Sequence, residues 1–253
     1  MPSVSYERIA ARYEEARGGL GRARALAAAV LPWLDQATVV CDVGTGTGVV
    51  SGLLAQAGLR VFGFDIAPGM LSQARSRLPD RVAVADATAL PVAGAAVDAL
   101  VYVWVLHHVG DLAAAMREAR RVLRPGGRAI CVSGLALPRP DDDMDLVMRR
   151  LDHVLRRTSE EHLPLLARAA AAAGLEPEAE DTATYTLDSS PNDLADAIEQ
   201  RLFAYLWDLD AGTWTTVVAP QVDALRRLPR PDQPRRRESR HPVRVLRAAE
   251  DTT

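Results

Sequence analysis

The sequence contains no lysine, so all 30 of its basic residues are arginine, and it contains only two cysteines among 253 residues. The lack of lysine, together with abundant alanine, indicates the codon bias of a GC-rich genome rather than a particular chemistry. Cys41 and Cys131 both lie inside apolar runs. A disulfide framework or a thiolate metal site would place its cysteines in loops, so we expect both thiols to be reduced and buried.

Long apolar runs and targeting segments are also lacking. No run approaches the roughly 20 residues that a membrane-spanning helix requires. The polar N-terminal region shows no basic segment followed by an apolar run and a cleavage site. We therefore expect a cytoplasmic protein without a membrane partner. A formal net charge of -3 provides no general attraction to polyanions, so no nucleic-acid partner is expected either.

The composition is that of a globular chain, with 48% hydrophobic and 25% charged residues. This balance excludes disorder and collagen-like structure as overall descriptions. Between residues 37 and 133, short β-branched runs alternate with longer helical stretches, which is the pattern of successive βα units. The sequence therefore predicts an α/β fold with a parallel sheet. The predicted strands are 37–43, 60–65, 81–85, 97–104 and 128–133.

Further elements are predicted on both sides of this region. Before it, helices at 6–16 and 22–31 are separated by Gly18, Gly19 and Gly21 and form a cap. After it, the predicted elements are helices at 144–157, 161–173, 192–206 and 217–228, and strands at 178–187 and 241–246.

An arginine-rich segment at 226–240 contains seven arginines against Asp232 and Glu238, with prolines between them. We expect this segment to be an exposed loop. It is either a solvated connection before the last strand or a patch for an acidic partner or substrate.

A glycine-rich turn follows the first predicted strand. The string C-D-V-G-T-G-T-G places Gly44, Gly46 and Gly48 directly before a predicted helix at 49–56. Glycines let the chain turn sharply and let a ligand approach the backbone N–H groups closely. In an open parallel sheet, ligands bind beyond the carboxyl ends of the strands. The sequence therefore predicts a ligand over this turn.

Three aspartates indicate what kind of ligand this is. The spacing differs from the dinucleotide fingerprint G-x-G-x-x-G and puts Asp42 before the glycines, where a carboxylate would repel a pyrophosphate. Asp65 ends the second strand and can accept hydrogen bonds from both hydroxyls of a ribose. Asp86 ends the third strand, where it can meet the amine of an adenine. Alternatively, Asp65 and Asp86 are ordinary helix N-caps.

Five motifs in order carry a family resemblance over about residues 6–133. They are V-V-C-D-V-G-T-G-T-G, F-G-F-D-I-A-P-G-M-L, A-D-A-T-A-L-P, V-D-A-L-V-Y-V-W-V-L-H-H-V and R-V-L-R-P-G-G-R. With these motifs the sequence resembles class I S-adenosylmethionine-dependent methyltransferases of the small-molecule branch, the ubiquinone/menaquinone methyltransferase-like type 11 enzymes. The resemblance implies S-adenosyl-L-methionine as cofactor, with S-adenosyl-L-homocysteine as product.

The resemblance also implies an architecture. This is a Rossmann-like, doubly wound, seven-stranded sheet in order 3-2-1-4-5-7-6 with strand seven antiparallel. A single methyltransferase domain would cover residues 1–253. It would comprise an N-terminal helical cap (1–35), a cofactor-binding core (36–133), and substrate-side helices with the last two strands (134–253).

Site residues follow from the same resemblance. The string A-R-Y-E-E-A-R-G is similar to a Y-D-x-x-R-G element of the family, with Glu14 in place of aspartate. The residues assigned to the cofactor are Tyr13 and Arg17 for its carboxylate; Asp42, Gly44, Thr45, Gly46 and Gly48 for its methionine part; Asp65 for the ribose; Ile66, Met70, Asp86 and Ala87 for the adenine; and Trp104 beside the sulfonium.

A candidate general base follows the fourth strand. His107 and His108 lie at the predicted ligand edge, where a neutral imidazole can accept a proton from the substrate. Position favours His107 as the catalytic residue, and the alternative is a structural histidine that bonds a carbonyl. No metal site is expected, because the other histidines are scattered. The acidic run at 141–145 opens a predicted helix, where negative charge is favourable without an ion.

The expected function is methyl transfer to a small-molecule acceptor in secondary-metabolite or cofactor biosynthesis. One alternative is a non-methylating enzyme with the same fold, for example a cyclase. Another is a non-catalytic binding module. The sequence leaves open whether oxygen, nitrogen or carbon accepts the methyl group, and whether the protein is a monomer or a dimer.

Overall fold

The protein folds around one seven-stranded sheet. The structure, a computed structural model, describes residues 19–139, 141–155 and 159–250. The strands are β1 (Val39–Val43), β2 (Arg60–Asp65), β3 (Val82–Val84), β4 (Val97–Val103), β5 (Leu123–Val132), β6 (Leu175–Ser189) and β7 (Arg235–Ala248). Their order is β3-β2-β1-β4-β5-β7-β6. The first five strands are parallel, and β7 runs antiparallel to both β5 and β6, which confirms the predicted topology.

Helices flank the sheet. In chain order they are α1 (Gly19–Val30), α2 (Val49–Gln56), α3 (Pro68–Ala74), α4 (Leu112–Val122), α5 (Asp143–Val154), α6 (Ser159–Ala172), α7 (Pro191–Glu199) and α8 (Ala219–Arg226). Short turns Ala211–Thr213 and Trp214–Val218 precede α8. No helix in the described part of the chain combines the length and the apolar character needed to cross a membrane.

Helix α1 shows how the sequence produces this packing. Its buried residues are Ala23, Leu26, Ala27 and Val30, which recur every three or four positions and form one apolar stripe. The stripe packs with α2 on one face of the sheet, against strand residues such as Val101. Helices α4 and α6 cover the opposite face. A third cluster joins α5, α7 and α8.

The N-terminal cap differs from the prediction in one respect. Helix α1 begins at Gly19, so Gly19 and Gly21 form its first turn rather than separating two helices. The predicted helix at 6–16 lies outside the described residues, as do Tyr13 and Arg17.

The predicted exposed loop at 226–240 is wrong at both ends. Helix α8 continues to Arg226 and β7 begins at Arg235. Arg237 is only 8% exposed. It donates to both carboxylate oxygens of Asp142, at 2.7 and 3.0 Å, and to Asp145 at 2.7 Å. Neighbouring arginines therefore point to opposite faces of β7. The carboxylates of Asp142 and Asp145, near the start of α5, neutralise the inward-facing Arg237.

Replacing Arg237 with alanine is expected to lower the free energy of unfolding by about 2 kcal/mol, because two partly buried carboxylates lose a charged donor. Arg139 still bonds Asp145, at 2.5 and 2.7 Å, which limits the loss. Urea unfolding followed by circular dichroism measures the change. The matched control is Arg236→Ala on the exposed side of the same strand, for which a change within about 0.5 kcal/mol is expected. Equal losses in both variants would contradict a specific role for Arg237.

Candidate functional site

The glycine turn after β1 takes a backbone conformation that favours glycine. Gly44, Gly46 and Gly48 have φ values of +75°, +57° and +78°. A methyl group on Gly44 would overlap the Val105 side chain, and one on Gly48 would lie 2.9 Å from the Ala74 side chain. At Gly46, by contrast, an added Cβ would meet no atom within 4 Å. The backbone of Gly46 therefore borders open space.

This open space is a cleft between the turn, the first turns of α1 and the end of β4. Its enclosed part is small, about 70 Å³, and it opens to solvent. Arg22 and Leu26 line it from α1, Asp42 from β1 and Thr45 from the glycine turn. Trp104, the residue that follows β4, completes the lining. The position of the cleft beyond the carboxyl ends of β1 and β4 is the one predicted from the sequence.

Asp42 forms the buried wall of the cleft and is only 2% exposed. One carboxylate oxygen accepts a hydrogen bond from the Ser51 hydroxyl, which lies 2.5 Å from the hydroxyl of Thr45. The other oxygen, Oδ1, is buried without a hydrogen-bond partner in the described residues. Burial raises the pKa of Asp42 to about 6, and the two hydroxyls offset this only in part. An unpaired buried carboxylate oxygen fits a ligand that brings a cationic N–H donor.

Asp65 joins the end of β2 to the glycine turn. Its two oxygens accept hydrogen bonds from the backbone N–H groups of Gly46 and Ala67, each at 2.8 Å. Burial raises the pKa of this half-buried carboxyl as well. Each carboxylate oxygen has a further lone pair, so both can still accept from a ligand diol. The next residue, Ile66, is 46% exposed and leaves apolar surface beside this carboxylate.

Trp104 directly follows β4 and has an unusual backbone conformation. Its φ of +59° is rare for a bulky residue and is typical of strained positions at functional sites. The Arg22 guanidinium lies 4.6 Å from the centre of its ring. Arg22 is a site residue that was not predicted from the sequence. Its position directly before Ala23, at the polar border of the apolar stripe of α1, was the only sequence feature that could have indicated this role.

The remaining predicted adenine contacts have different environments. Asp86 is exposed and accepts hydrogen bonds from the backbone and hydroxyl of Thr88, at 2.8 and 2.7 Å. Ala87 is half-buried. Met70 is fully buried on α3, with 2% exposure. Their roles toward a ligand stay predictions.

His107 lies on the other side of the sheet from the cleft. A methyl group on Gly134 would overlap its imidazole, and its ring centre is 3.9 Å from that of His108. The recess around it also contains Cys131, Leu166 and His162, on the side covered by α6. Burial lowers the pKa of His162. The cleft lining described above does not include His107, and its role as a base stays a prediction.

Comparison with known proteins defines the class. Residues 41–131 match the family described as "Methyltransferase domain". These residues include the glycine turn, Asp42, Asp65 and Trp104. This third of the chain is therefore similar to a methyltransferase domain, as predicted, and the order of the seven strands matches the Rossmann-like sheet predicted from that resemblance.

Individual relatives are similar over part of the chain. Demethylmenaquinone methyltransferase from Beutenbergia cavernae is 40% identical over 92 residues, which cover 36% of this chain and 38% of that protein. The chain therefore spans well under half the length of this curated relative.

Solved structures are similar over most of the chain. Geranyl diphosphate C-methyltransferase from Streptomyces coelicolor A3(2), in complex with Mg²⁺, geranyl diphosphate and S-adenosyl-L-homocysteine, has a TM-score of 0.54 at 20% identity, covering 89% of this chain and 79% of that one. The [4+2]-cyclase SpnF has a TM-score of 0.58 at 20% identity, covering 98% and 95%. Likeness at this identity shows the fold alone.

Proposed function

We propose that this protein is an S-adenosylmethionine-dependent methyltransferase that acts on a small-molecule acceptor in secondary-metabolite or cofactor biosynthesis. The observation that carries the proposal is the unpaired oxygen of buried Asp42 at the wall of a cleft over the glycine turn. S-adenosylmethionine supplies a methyl group activated by a sulfonium, and it carries an ammonium, a carboxylate and a ribose diol. The cleft offers Asp42 and Arg22 for the charged groups, and Asp65, hydrogen-bonded to Gly46 at the adjoining end of β2, is available for the diol.

Each part of the ligand is assigned a contact with a residue in or beside the cleft. Asp42 accepts from the ammonium, and Arg22 pairs with the carboxylate at the α1 side. Asp65 accepts from the ribose hydroxyls at the end of β2, and exposed Ile66 covers one face of the adenine. The further proposed contacts, carried over from the family resemblance, are Tyr13, Arg17, Gly44, Thr45, Gly46, Gly48, Met70, Asp86, Ala87 and Trp104.

These residues contribute mainly alignment. Methyl transfer from a sulfonium is an in-line displacement, so holding the reactants in position and excluding water supplies much of the rate. Trp104 and the α1 residue Leu26 line the cleft, and their apolar surfaces would exclude water from the bound methyl group. A general base is needed only for an acceptor that loses a proton, and His107 remains one proposed base.

Asp65→Ala is expected to raise the dissociation constant for S-adenosylmethionine at least about tenfold, because the ribose diol loses its acceptor. Isothermal titration calorimetry measures this change. The control is Asp210→Ala, because Asp210 also accepts from a backbone N–H, that of Thr213 at 2.9 Å, in a turn outside the cleft. Unchanged affinity of the Asp65 variant would remove this residue from the proposed ribose site.

The proposed function is tested by binding and by product. S-adenosylmethionine and S-adenosylhomocysteine should each raise the unfolding temperature, by a stabilisation of about 2.7 kcal/mol at 100 times the dissociation constant. Incubation with candidate acceptors should produce S-adenosylhomocysteine and a gain of 14 Da on the acceptor. Binding with product formation but without S-adenosylhomocysteine would favour a cyclase. Absence of binding would favour a non-catalytic module.

A further inference from the structure

The inward face of β7 changes from apolar to polar along its length. Val243 and Val245 belong to the core, whereas Arg237, Ser239 and His241 continue the same face toward the start of the strand. Because β7 is antiparallel to β5, its polar half lies at the carboxyl edge of the parallel strands. This polar half therefore reaches the edge at which the cleft opens.

His241 is held in one tautomer at this edge and is only 3% exposed. Its Nδ1 lies 2.9 Å from the carbonyl oxygen of Ser133, which can only accept, so Nδ1 carries the proton. Nε2 is then an acceptor, with the Ser239 hydroxyl at 2.9 Å and the Tyr185 hydroxyl at 3.4 Å. A serine hydroxyl can donate to a neutral imidazole or accept from a charged one. Both protonation states of His241 are therefore accommodated.

Aromatic rings connect His241 to the cleft. Its ring centre lies 4.7 Å from that of Trp104, which lines the cleft. The Tyr185 ring is stacked on His241 at 5.6 Å and 8°, and lies 6.3 Å from Trp104. Tyr185 is half-buried, so its hydroxyl can meet a molecule that His241 itself cannot reach. The partly exposed rings of Tyr185 and Trp104, with His241 packed behind them, form a wall suited to a planar aromatic acceptor.

Two guanidinium groups flank this wall. Arg22 lies over the outer ring, that of Trp104, at 4.6 Å. Arg139 is within electrostatic reach of Tyr185 and is held in place by Asp145 and by the Glu238 carbonyl oxygen at 2.8 Å. Arg139 is neutralised by its ion pair with Asp145 at 2.5 Å, so charge does not select the acceptor. The feature that favours a hydroxyl acceptor is the Tyr185–His241 contact, which can take the proton that a phenol or an enol must lose. A neutral amine needs no such proton acceptor before it attacks.

We propose that Tyr185 and His241 form the acceptor end of the site and that the acceptor is a phenol or an enol. This inference rests on the proposed function. Tyr185 is the catalytic residue, because its hydroxyl contacts the acceptor, and His241 is a positioning residue that acts through Tyr185.

The proton and the methyl group move in opposite directions. The acceptor oxygen forms a bond to the methyl carbon as the carbon–sulfur bond breaks, and the electron pair of that bond stays on sulfur. The acceptor proton passes to the Tyr185 oxygen while the Tyr185 proton passes to His241 Nε2. After the product leaves, the buried imidazolium returns its proton to solvent through the hydroxyl of half-buried Tyr185.

The first test compares Tyr185→Phe with Thr186→Val. Each variant loses one hydroxyl, and Thr186 is the exposed neighbour on the same strand. With a panel of phenols, Tyr185→Phe should reduce kcat at least about 100-fold with less than a twofold change in the calorimetric dissociation constant for S-adenosylmethionine. Thr186→Val should change neither. With S-adenosylmethionine kept saturating at every pH, so that protonation of Asp42 does not affect the rate, His241→Gln should remove the fall in wild-type phenol methylation caused by protonation of His241.

A second readout does not require turnover. Addition of a phenol should shift the ring ¹⁵N resonances of His241, with and without S-adenosylhomocysteine, and the shift should be lost in Tyr185→Phe. Failure to bind S-adenosylmethionine would refute the proposed function, whereas this titration would still test the acceptor end. Wild-type rates in Tyr185→Phe, methylation confined to amines or carbon acceptors, or a loss of rate in His107→Asn alone would each overturn the inference.

Discussion

Replacing Gly46 with alanine is expected to weaken S-adenosylmethionine binding at least about 100-fold, or about 2.7 kcal/mol, in a protein that still folds. An added Cβ meets no protein atom within 4 Å because it projects into the cleft, where it would occupy space that the ligand needs. The φ of +57° costs an alanine about 1–2 kcal/mol of stability. Calorimetry and urea unfolding measure the two effects separately.

Gly174 provides the matched control. Its φ is +77°, and an added Cβ there also meets no atom within 4 Å, but it lies between α6 and β6. Gly174→Ala should therefore show a similar loss of stability with unchanged ligand affinity. Equal affinities in the two alanine variants would mean that the space above Gly46 is not the ligand site.

Asp42→Asn is expected to weaken binding about 100-fold and to stabilise the ligand-free protein. The loss of binding arises because the ligand ammonium loses a buried anionic partner. The gain in stability arises because the carboxyl ionises near pH 3.8 in the unfolded chain but near pH 6 in the folded protein. Between these values the folded protein holds a proton that the unfolded chain has lost, so wild-type stability falls as the pH rises. The full loss is about 3 kcal/mol.

Two pH series check this prediction. In unfolding experiments, the stability advantage of Asp42→Asn should be largest above pH 6 and should shrink toward pH 4. In calorimetry, wild-type affinity should fall as the pH drops below about 6, up to tenfold per pH unit, because binding requires the ionised carboxylate. The variant should lack this dependence. Asp188→Asn, which alters an exposed carboxylate on β6, is the control. A variant that is no more stable than wild type at pH 7.5 would contradict the ionisation argument.

Local sequence patterns were sufficient to predict the first half of the sheet. The βα alternation predicted α2 and β2 with the bounds that the structure has, because buried parallel strands are nearly continuous apolar runs. The glycines and Asp42 could be assigned to a ligand site because they are neighbours along the chain. The order of all seven strands, in contrast, was available only from the family resemblance.

Contacts between distant segments could not be predicted in this way. The arginine-rich segment reads as a loop because the carboxylates that neutralise Arg237 lie at the start of α5, 92 and 95 residues away: Asp145 in its first turn and Asp142 at its N-cap. Trp104 and His107 are three residues apart, yet the positive φ of Trp104 and the following 3₁₀ turn direct them to opposite faces of the sheet. No pattern of residue types indicates that reversal.

The pairing of β7 with β5 also has a consequence for folding order. His241 and Ser133 are 108 residues apart, so their hydrogen bond closes a long loop. The entropic cost of closing this loop is offset only when β7 docks against β5. The parallel strands and the glycine turn depend on much shorter separations. An intermediate that has assembled this first half would already hold the proposed nucleoside pocket but would still lack the proposed proton acceptor, so ligand affinity should recover before turnover during refolding.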